Sequence, residues 1–137
     1  MLEELGLAEA LRTECERRGR QGQVDLLAAI DPLPAVVGRD QALCLFRVAQ
    51  EALSNLTRYA RARAASLTLR QMDSGLLLAV RDDGVGFDPE RPEKRMSLGL
   101  ASMRERVRLV NGTLDIESAP GRGTAVVAWV PAEGGSG

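Results

Sequence analysis

The run LLLAVRDDGVGFD, residues 76–88, changes character at its midpoint, and the reading of the whole chain turns on that change. Leu76 to Arg81 is a near-continuous apolar stretch with the length of a buried strand. Asp82-Asp83-Gly84-Val85-Gly86-Phe87-Asp88 follows at once, acidic and punctuated by glycine, at the strand end where sites gather. Two glycines at alternate positions let a backbone adopt unusual dihedrals and approach a flat ligand closely. A carboxylate fixed at Asp82 can accept a hydrogen bond from an exocyclic amine. Taken alone, the segment reads better as an ordinary acidic turn.

Working upstream, Ser66 to Met72 alternates Leu67 and Leu69 with polar neighbours, and Asp73-Ser74-Gly75 supplies a turn that pairs this strand with the next. The longest periodic segment runs from about Asp40 to Ala60. There Ala42, Leu45, Phe46, Ala49, Ala52, Leu53 and Leu56 recur at intervals of three and four, which predicts an amphipathic helix. Before it, Val24, Leu26, Ala28 and Ile30 alternate in a strand broken by Asp31, Pro32 and Pro34. Leu7, Leu11 and Cys15 stack on one stripe of a helix over Leu5 to Arg18, with Gly19 placed to end it.

Downstream, Asp88 to Ser97 holds two prolines and six charged residues in ten positions, a composition that predicts a mobile surface loop. Helical spacing restarts at Leu100, Met103, Val107 and Val110, and Asn111-Gly112 stops it. Leu114 and Ile116 alternate in a strand, Pro120-Gly121-Arg122-Gly123 turns, and Thr124 to Val130 forms a last apolar strand before a flexible tail over Glu133 to Gly137. Helix, strand, helix, strand, strand, helix, strand, strand predicts an α/β (α+β) two-layer sandwich, a mixed five-stranded sheet with three helices on one face. The expected domain spans residues 1–132.

Composition narrows the function. Of 137 residues, 45% are hydrophobic and 27% charged, ordinary for a globular chain and too apolar for a disordered one. Eighteen basic against nineteen acidic residues leave a net charge of -1, so no global field holds the chain on nucleic acid or an anionic membrane. Apolar runs fall short of the roughly 20 residues a bilayer span needs, and the acidic Glu3 and Glu4 do not fit a signal peptide, so the expectation is a cytoplasmic chain. Cys15 and Cys44 have no metal or redox spacing and read as packing residues. The chain contains no histidine. That excludes Ser-His-Asp and Cys-His hydrolases and histidine-ligated metals within it, and phosphorylation on a histidine of its own.

On the long helix, Glu51, Asn55 and Arg58 recur at intervals of four and three and share the polar stripe. By itself this is a solvated face. As a site it offers an amide oxygen suited to magnesium and a guanidinium suited to phosphate. Ser97-Leu98-Gly99-Leu100, between the charged loop and a helix, could turn its amides toward a phosphate, with Ser97 as helix cap. Pro120-Gly121-Arg122-Gly123-Thr124 alone is a hairpin turn.

In this order the segments resemble a family. QEALSNLTRYARA (50–62) resembles the N box of the histidine kinase ATPase fold, DDGVGFD (82–88) its first glycine box, SLGLASMRERV (97–107) its second and SAPGRGTAV (118–126) its third. The fold, also called the Bergerat ATP-binding fold, is shared with gyrase, Hsp90 chaperones and MutL proteins. LFRVAQEALSN and LASMRERV are most similar to the nitrate-sensor-like histidine kinases. The resemblance implies that the chain binds ATP with Mg2+ and donates the γ-phosphate to a histidine on a separate dimerisation domain, a response regulator lying downstream. It implies that Asn55 coordinates magnesium, with Glu51 polarising the attacking group and standing as a second candidate ligand, and that Arg58 and Tyr59 face the nucleotide. Asp82 would bind the adenine amine with support from Thr124, and Gly84, Gly86 and Phe87 would shape the pocket. Residues 88–97 would form a lid, and Ser97, Leu98, Gly99 and Leu100 would begin a phosphate-facing helix. Tyr59 stands where the subfamily often has histidine, and Ser97 where a glycine often opens the second box. The isolated domain is expected to be monomeric and to make no membrane contact, the parent protein being either soluble or a membrane-bound sensor. Two rival readings remain: an anti-sigma-factor-type serine kinase, and a nucleotide-sensing or protein-docking module without turnover.

Overall fold

Leu76 to Arg81 lies in the central strand of a five-stranded sheet in a computed structural model of the chain, which describes residues 2–33 and 37–132. The elements are α1 (Leu2–Gly22), β1 (Asp25–Ile30), α2 (Arg39–Arg58), β2 (Ala64–Met72), β3 (Gly75–Asp82), α3 (Lys94–Leu109), β4 (Thr113–Ser118) and β5 (Thr124–Pro131). Pro34 and the tail over Glu133 to Gly137 lie outside the described residues. The sheet order is β1-β2-β3-β5-β4. β1 runs parallel to β2 and every other pair is antiparallel, so the sheet is mixed, as the alternation of helices and hairpins implied.

One face of the sheet carries the core. Leu67 and Leu69 of β2, Leu76 and Leu78 of β3, and Ala128 and Val130 of β5 are fully buried beneath the helices. α2 crosses β3 and β5, α3 packs on β4 and β5, and α1 lies against α2 and β1. The other face is more open, with Leu27 exposed on the edge strand β1. Leu45, Val48 and Leu53, predicted on the apolar stripe or between its members, are completely buried on α2. Each such side chain contributes about 1.5–3 kcal/mol by leaving water. The buried Glu14 of α1 is held by Arg17 and Arg18 and accepts from Gln50 Nε2 at 3.2 Å, tying α1 to α2. Cys15 and Cys44 pack in this core as free thiols. Burial pushes both up to about 11, aided at Cys15 by the charges of Glu14 and Glu16 and opposed at Cys44 by Arg106.

Two boundaries differ from expectation for physical reasons. Gly19 does not end α1: the helix continues to Gly22 and the chain reverses at Gln23, with φ of 52°. Gly19 instead gives the returning strand room, since a Cβ there would sit 3.2 Å from the Val24 carbonyl oxygen. The larger correction concerns α3. Residues 94–97, expected in a loop, are its first turn, and the Ser97 amide donates to the Glu93 carbonyl at 2.8 Å. Ser97 is therefore inside the helix and not its cap, and Gly99 and Leu100 lie in the second turn rather than at the start. The cause is Met96, which is buried and extends the apolar stripe of Leu100, Met103 and Val107 back by one turn.

Candidate functional site

Where the C-terminal half of α2 meets the end of β3, the start of β5 and the first turns of α3, the chain leaves a hollow enclosing about 440 Å³ of open space, mouth included. Ala52, Leu56, Val80, Met96, Leu100 and Val126 make apolar walls. Asn55, Tyr59, Asp82 and Thr124 bring polar groups to it, with Gly86 and Phe87 from the loop after β3. Few convergent polar groups in an apolar cleft is the usual build of a small-molecule site. α3's first turn contributes Met96 to this wall, so the start of the helix borders the hollow.

The two adjacent aspartates divide their work. Asp83 turns away from the hollow, and its Oδ1 accepts from the amides of Arg63 at 2.9 Å and Ala64 at 3.1 Å, pinning the loop to the start of β2. Those amides, Ala64 first, hold its carboxyl below its ordinary value. Asp82 points inward and its Oδ1 accepts from the Gly84 amide at 2.8 Å. Burial pushes the Asp82 carboxyl above its ordinary value. The Gly84 amide opposes this, Asp83's charge adds to it, and a backbone bond at Thr124 again opposes it.

The glycines serve the protein's own backbone. A Cβ on Gly84 would lie 2.2 Å from the Ala60 carbonyl oxygen, and one on Gly86, whose φ is +66°, 2.1 Å from that of Ala119. The loop is therefore clamped between the end of α2 and the β4–β5 hairpin, with the Val85 amide donating to Ala60 at 2.7 Å. Gly86 lines the hollow; Gly84 shapes it from behind. The close approach predicted for a flat ligand is, at Gly84, an approach of protein to protein.

At the opposite end, Asn55 reaches the hollow from α2 with no hydrogen bond to its side-chain amide among the described residues. Glu51, one turn earlier, does not line the hollow but a separate groove with Ser54, Ser102 and Arg106, and its carboxylate has no ion pair among the described residues. Gly99 of α3 makes the space for that carboxylate: a Cβ there would sit 2.7 Å from both Glu51 Cδ and Oε1. Arg58, Ser97 and Leu98 are exposed and do not line the hollow, Leu98 with 69% of its surface in solvent.

Residues 40–134 match the family model described as histidine kinase-, DNA gyrase B-, and HSP90-like ATPase. The chain belongs to this family. Among its relatives are an uncharacterized sensor-like histidine kinase of Chloroflexus aurantiacus, 34% identical over 97% of this chain and 24% of its own length, and the signal transduction histidine-protein kinase/phosphatase UhpB of Salmonella typhimurium, 37% identical over 91% of this chain and 25% of its own. The chain spans about a quarter of the length of these relatives. Among solved structures, full-length ShkA in complex with AMPPNP superposes with a TM-score of 0.76 at 19% identity, over 95% of this chain and 31% of that one, a likeness of fold.

Within this HATPase-family chain, the sequence brought seven predicted residues to the hollow: Asn55, Tyr59, Asp82, Gly86, Phe87, Leu100 and Thr124. It missed Met96, whose signal was present as the four-residue spacing to Leu100. It also missed Ser118, the last residue of β4, whose hydroxyl binds the Phe87 amide, the Gly123 carbonyl and the Thr124 hydroxyl. Only strand register exposes that role.

Proposed function

We propose that the hollow binds ATP with magnesium and that the chain donates the γ-phosphate to a histidine on a separate dimerisation domain, feeding a response regulator downstream. What supports the reading above all is that the Asn55 amide and the Asp82 carboxylate, on different elements, converge on one hollow. The purine lies between Leu56, Met96, Leu100 and Val126, with its amine against Asp82 and Thr124. Its phosphates extend toward Asn55 and the neighbouring Glu51.

Asn55 and Glu51 suit magnesium, being hard oxygen donors one helical turn apart with no partner of their own among the described residues. The chemistry supplied there when the ion is bound is neutralisation of phosphate charge. The protein's residues do the rest: Asp82 and the apolar walls orient the nucleotide, α3 excludes water, and Glu51 orients the attacking group. Phosphoryl transfer asks for little more, because positioning and charge stabilisation carry most of it. The acceptor comes from outside these residues, which contain no histidine.

The test is to titrate the chain with Mg-ATP, then incubate it with γ-labelled ATP and a histidine-bearing helical hairpin or a serine-bearing antagonist. Saturable binding and an acid-labile phosphate on the hairpin are expected. No saturation up to millimolar ATP would overturn the nucleotide reading. Acid-stable label on serine would identify a serine kinase, and binding without transfer to either acceptor a sensing module.

A further inference from the structure

The β4–β5 and β5–β3 ladders place Ser118 opposite Thr124 and Thr124 opposite Asp82. Directly paired residues project from the same face of a sheet, so the three side chains form one lateral row. Asp82 and Thr124 border the hollow, and Ser118 stands behind them.

A count of protons fixes the polarity of this row. The Ser118 hydroxyl has three polar neighbours: the Phe87 amide at 2.9 Å, the Gly123 carbonyl at 3.0 Å and the Thr124 hydroxyl at 2.8 Å. The amide can only donate and the carbonyl can only accept. With all three contacts made as hydrogen bonds at once, Ser118's one proton goes to Gly123 and the proton between the two hydroxyls comes from Thr124. Thr124 is left with lone pairs alone for any further contact. Beside it the ionised Asp82 also only accepts, one of its oxygens being already engaged by Gly84. The polar end of the hollow thus presents acceptors and no hydroxyl proton.

We propose that Ser118 is a positioning residue which, by holding the Thr124 hydroxyl as a donor toward itself, makes the hollow select a purine carrying an amine at its six-position over one carrying a carbonyl there. The inference rests on the nucleotide reading above. An amine offers two N–H groups to this end of the hollow, whereas a carbonyl sets lone pairs against lone pairs, and leaving buried polar groups mismatched is how sites reject close analogues. Without the Ser118 hydroxyl, Thr124 is free to turn its proton into the hollow and accept the carbonyl.

ATP and inosine triphosphate serve as probes, since the six-position amine is exchanged for a carbonyl and the ring nitrogen beside it gains a proton. Dissociation constants for both are measured on wild type, Ser118→Ala and Ser118→Thr. Wild type is expected to prefer ATP. Ser118→Ala lowers that preference by about tenfold, the worth of roughly one hydrogen bond, and Ser118→Thr, which keeps a hydroxyl, restores it. Losing the Phe87 amide's partner weakens both nucleotides alike and so cancels in the ratio. Ser118→Cys keeps the volume while weakening both hydrogen-bonding roles, and carries the same expectation should the alanine variant fold poorly. An unchanged ratio in Ser118→Ala, with wild type binding ATP, overturns the role of Ser118 and leaves the nucleotide site standing. Wild type binding neither nucleotide overturns both.

Discussion

Asp82 couples binding to stability with opposite signs. Burial raises its pKa in the folded chain, so the fold holds a proton that the unfolded chain releases. Stability from such a group is complete below the unfolded pKa and is lost as pH rises through the folded one. At neutral pH the ionised carboxylate therefore strains the empty hollow, and it is this charged form that the proposed amine contact calls for. Asp82→Asn, which keeps an oxygen for the Gly84 amide, is expected to melt higher than wild type without nucleotide at neutral pH. The advantage fades as the pH falls through the raised folded value and is gone below about 3.9, where both states of wild type hold the proton. The same variant should bind ATP about ten- to a hundredfold more weakly, the 1.5–3 kcal/mol of a charged hydrogen bond. Melting curves against pH, with and without ATP, check both signs, and a lower melting point with unchanged affinity would take Asp82 out of the site. Gly99 poses the converse case. A methyl there would meet Glu51 Cδ and Oε1 at 2.7 Å, the movable end of a flexible side chain. Gly99→Ala should therefore hold or gain stability, by about 0.5–1 kcal/mol from helix propensity, while displacing Glu51 and slowing transfer to the histidine acceptor. Transfer at the wild-type rate would show that Glu51's position is unimportant.

Among the elements, α3 sets access. Its first turn brings Met96 into the wall of the hollow. Nucleotide entry is expected to move that turn first. The observed association rate of ATP should rise with concentration and level off at the opening rate, with Met96→Ala lifting the plateau; a linear rise throughout in wild type would mean that the hollow stands open. How far the elements were legible follows from how locally each is determined. β2, β3 and β5 were readable because alternating or continuous apolar runs bounded by turn residues need no tertiary information. The β2–β3 turn was likewise local: Asp73 and Ser74 both take the left-handed conformation, φ of 51° and 61°, that a two-residue hairpin demands. The start of α3 was misread because charge and proline dominate 88–97 by composition, while one buried methionine outweighs them in space. The glycine loop was legible as a turn at a strand end, where Gly86 and Phe87 line the hollow, but its sequence holds nothing to tell that Ala60 and Ala119 of the protein would fill the room at Gly84 and Gly86. Nor could it show that Ser118 would stand beside Thr124, since that depends on a register closed across five intervening residues.

For the whole molecule, the question is whether the site and the far end of the sheet behave as one body. Leu11 of α1, Leu53 of α2, Leu78 of β3, Met103 of α3 and Val130 of β5 belong to a single buried cluster, so no helix has a core of its own. The chain's one tryptophan, Trp129, reports from the far end: its Nε1 donates to the Met72 carbonyl at 2.8 Å and its ring packs where a Cβ on Gly75 would lie, 2.4 Å from Cε2. It stands five positions along β5 from Thr124 in the hollow, roughly 17 Å of strand. With one shared core, tryptophan fluorescence and far-ultraviolet circular dichroism should trace the same thermal transition. ATP at about a hundred times its dissociation constant adds about 2.7 kcal/mol to the folded state, which for a chain of this size raises the midpoint by roughly 10 °C. Because the ligand acts on the entire cooperative unit, both signals should move together, although the indole touches no nucleotide. Fluorescence that stays put while the dichroism shifts would instead mean that the Trp129 end of the sheet melts independently of the site, and that the shared core does not carry binding energy across β5.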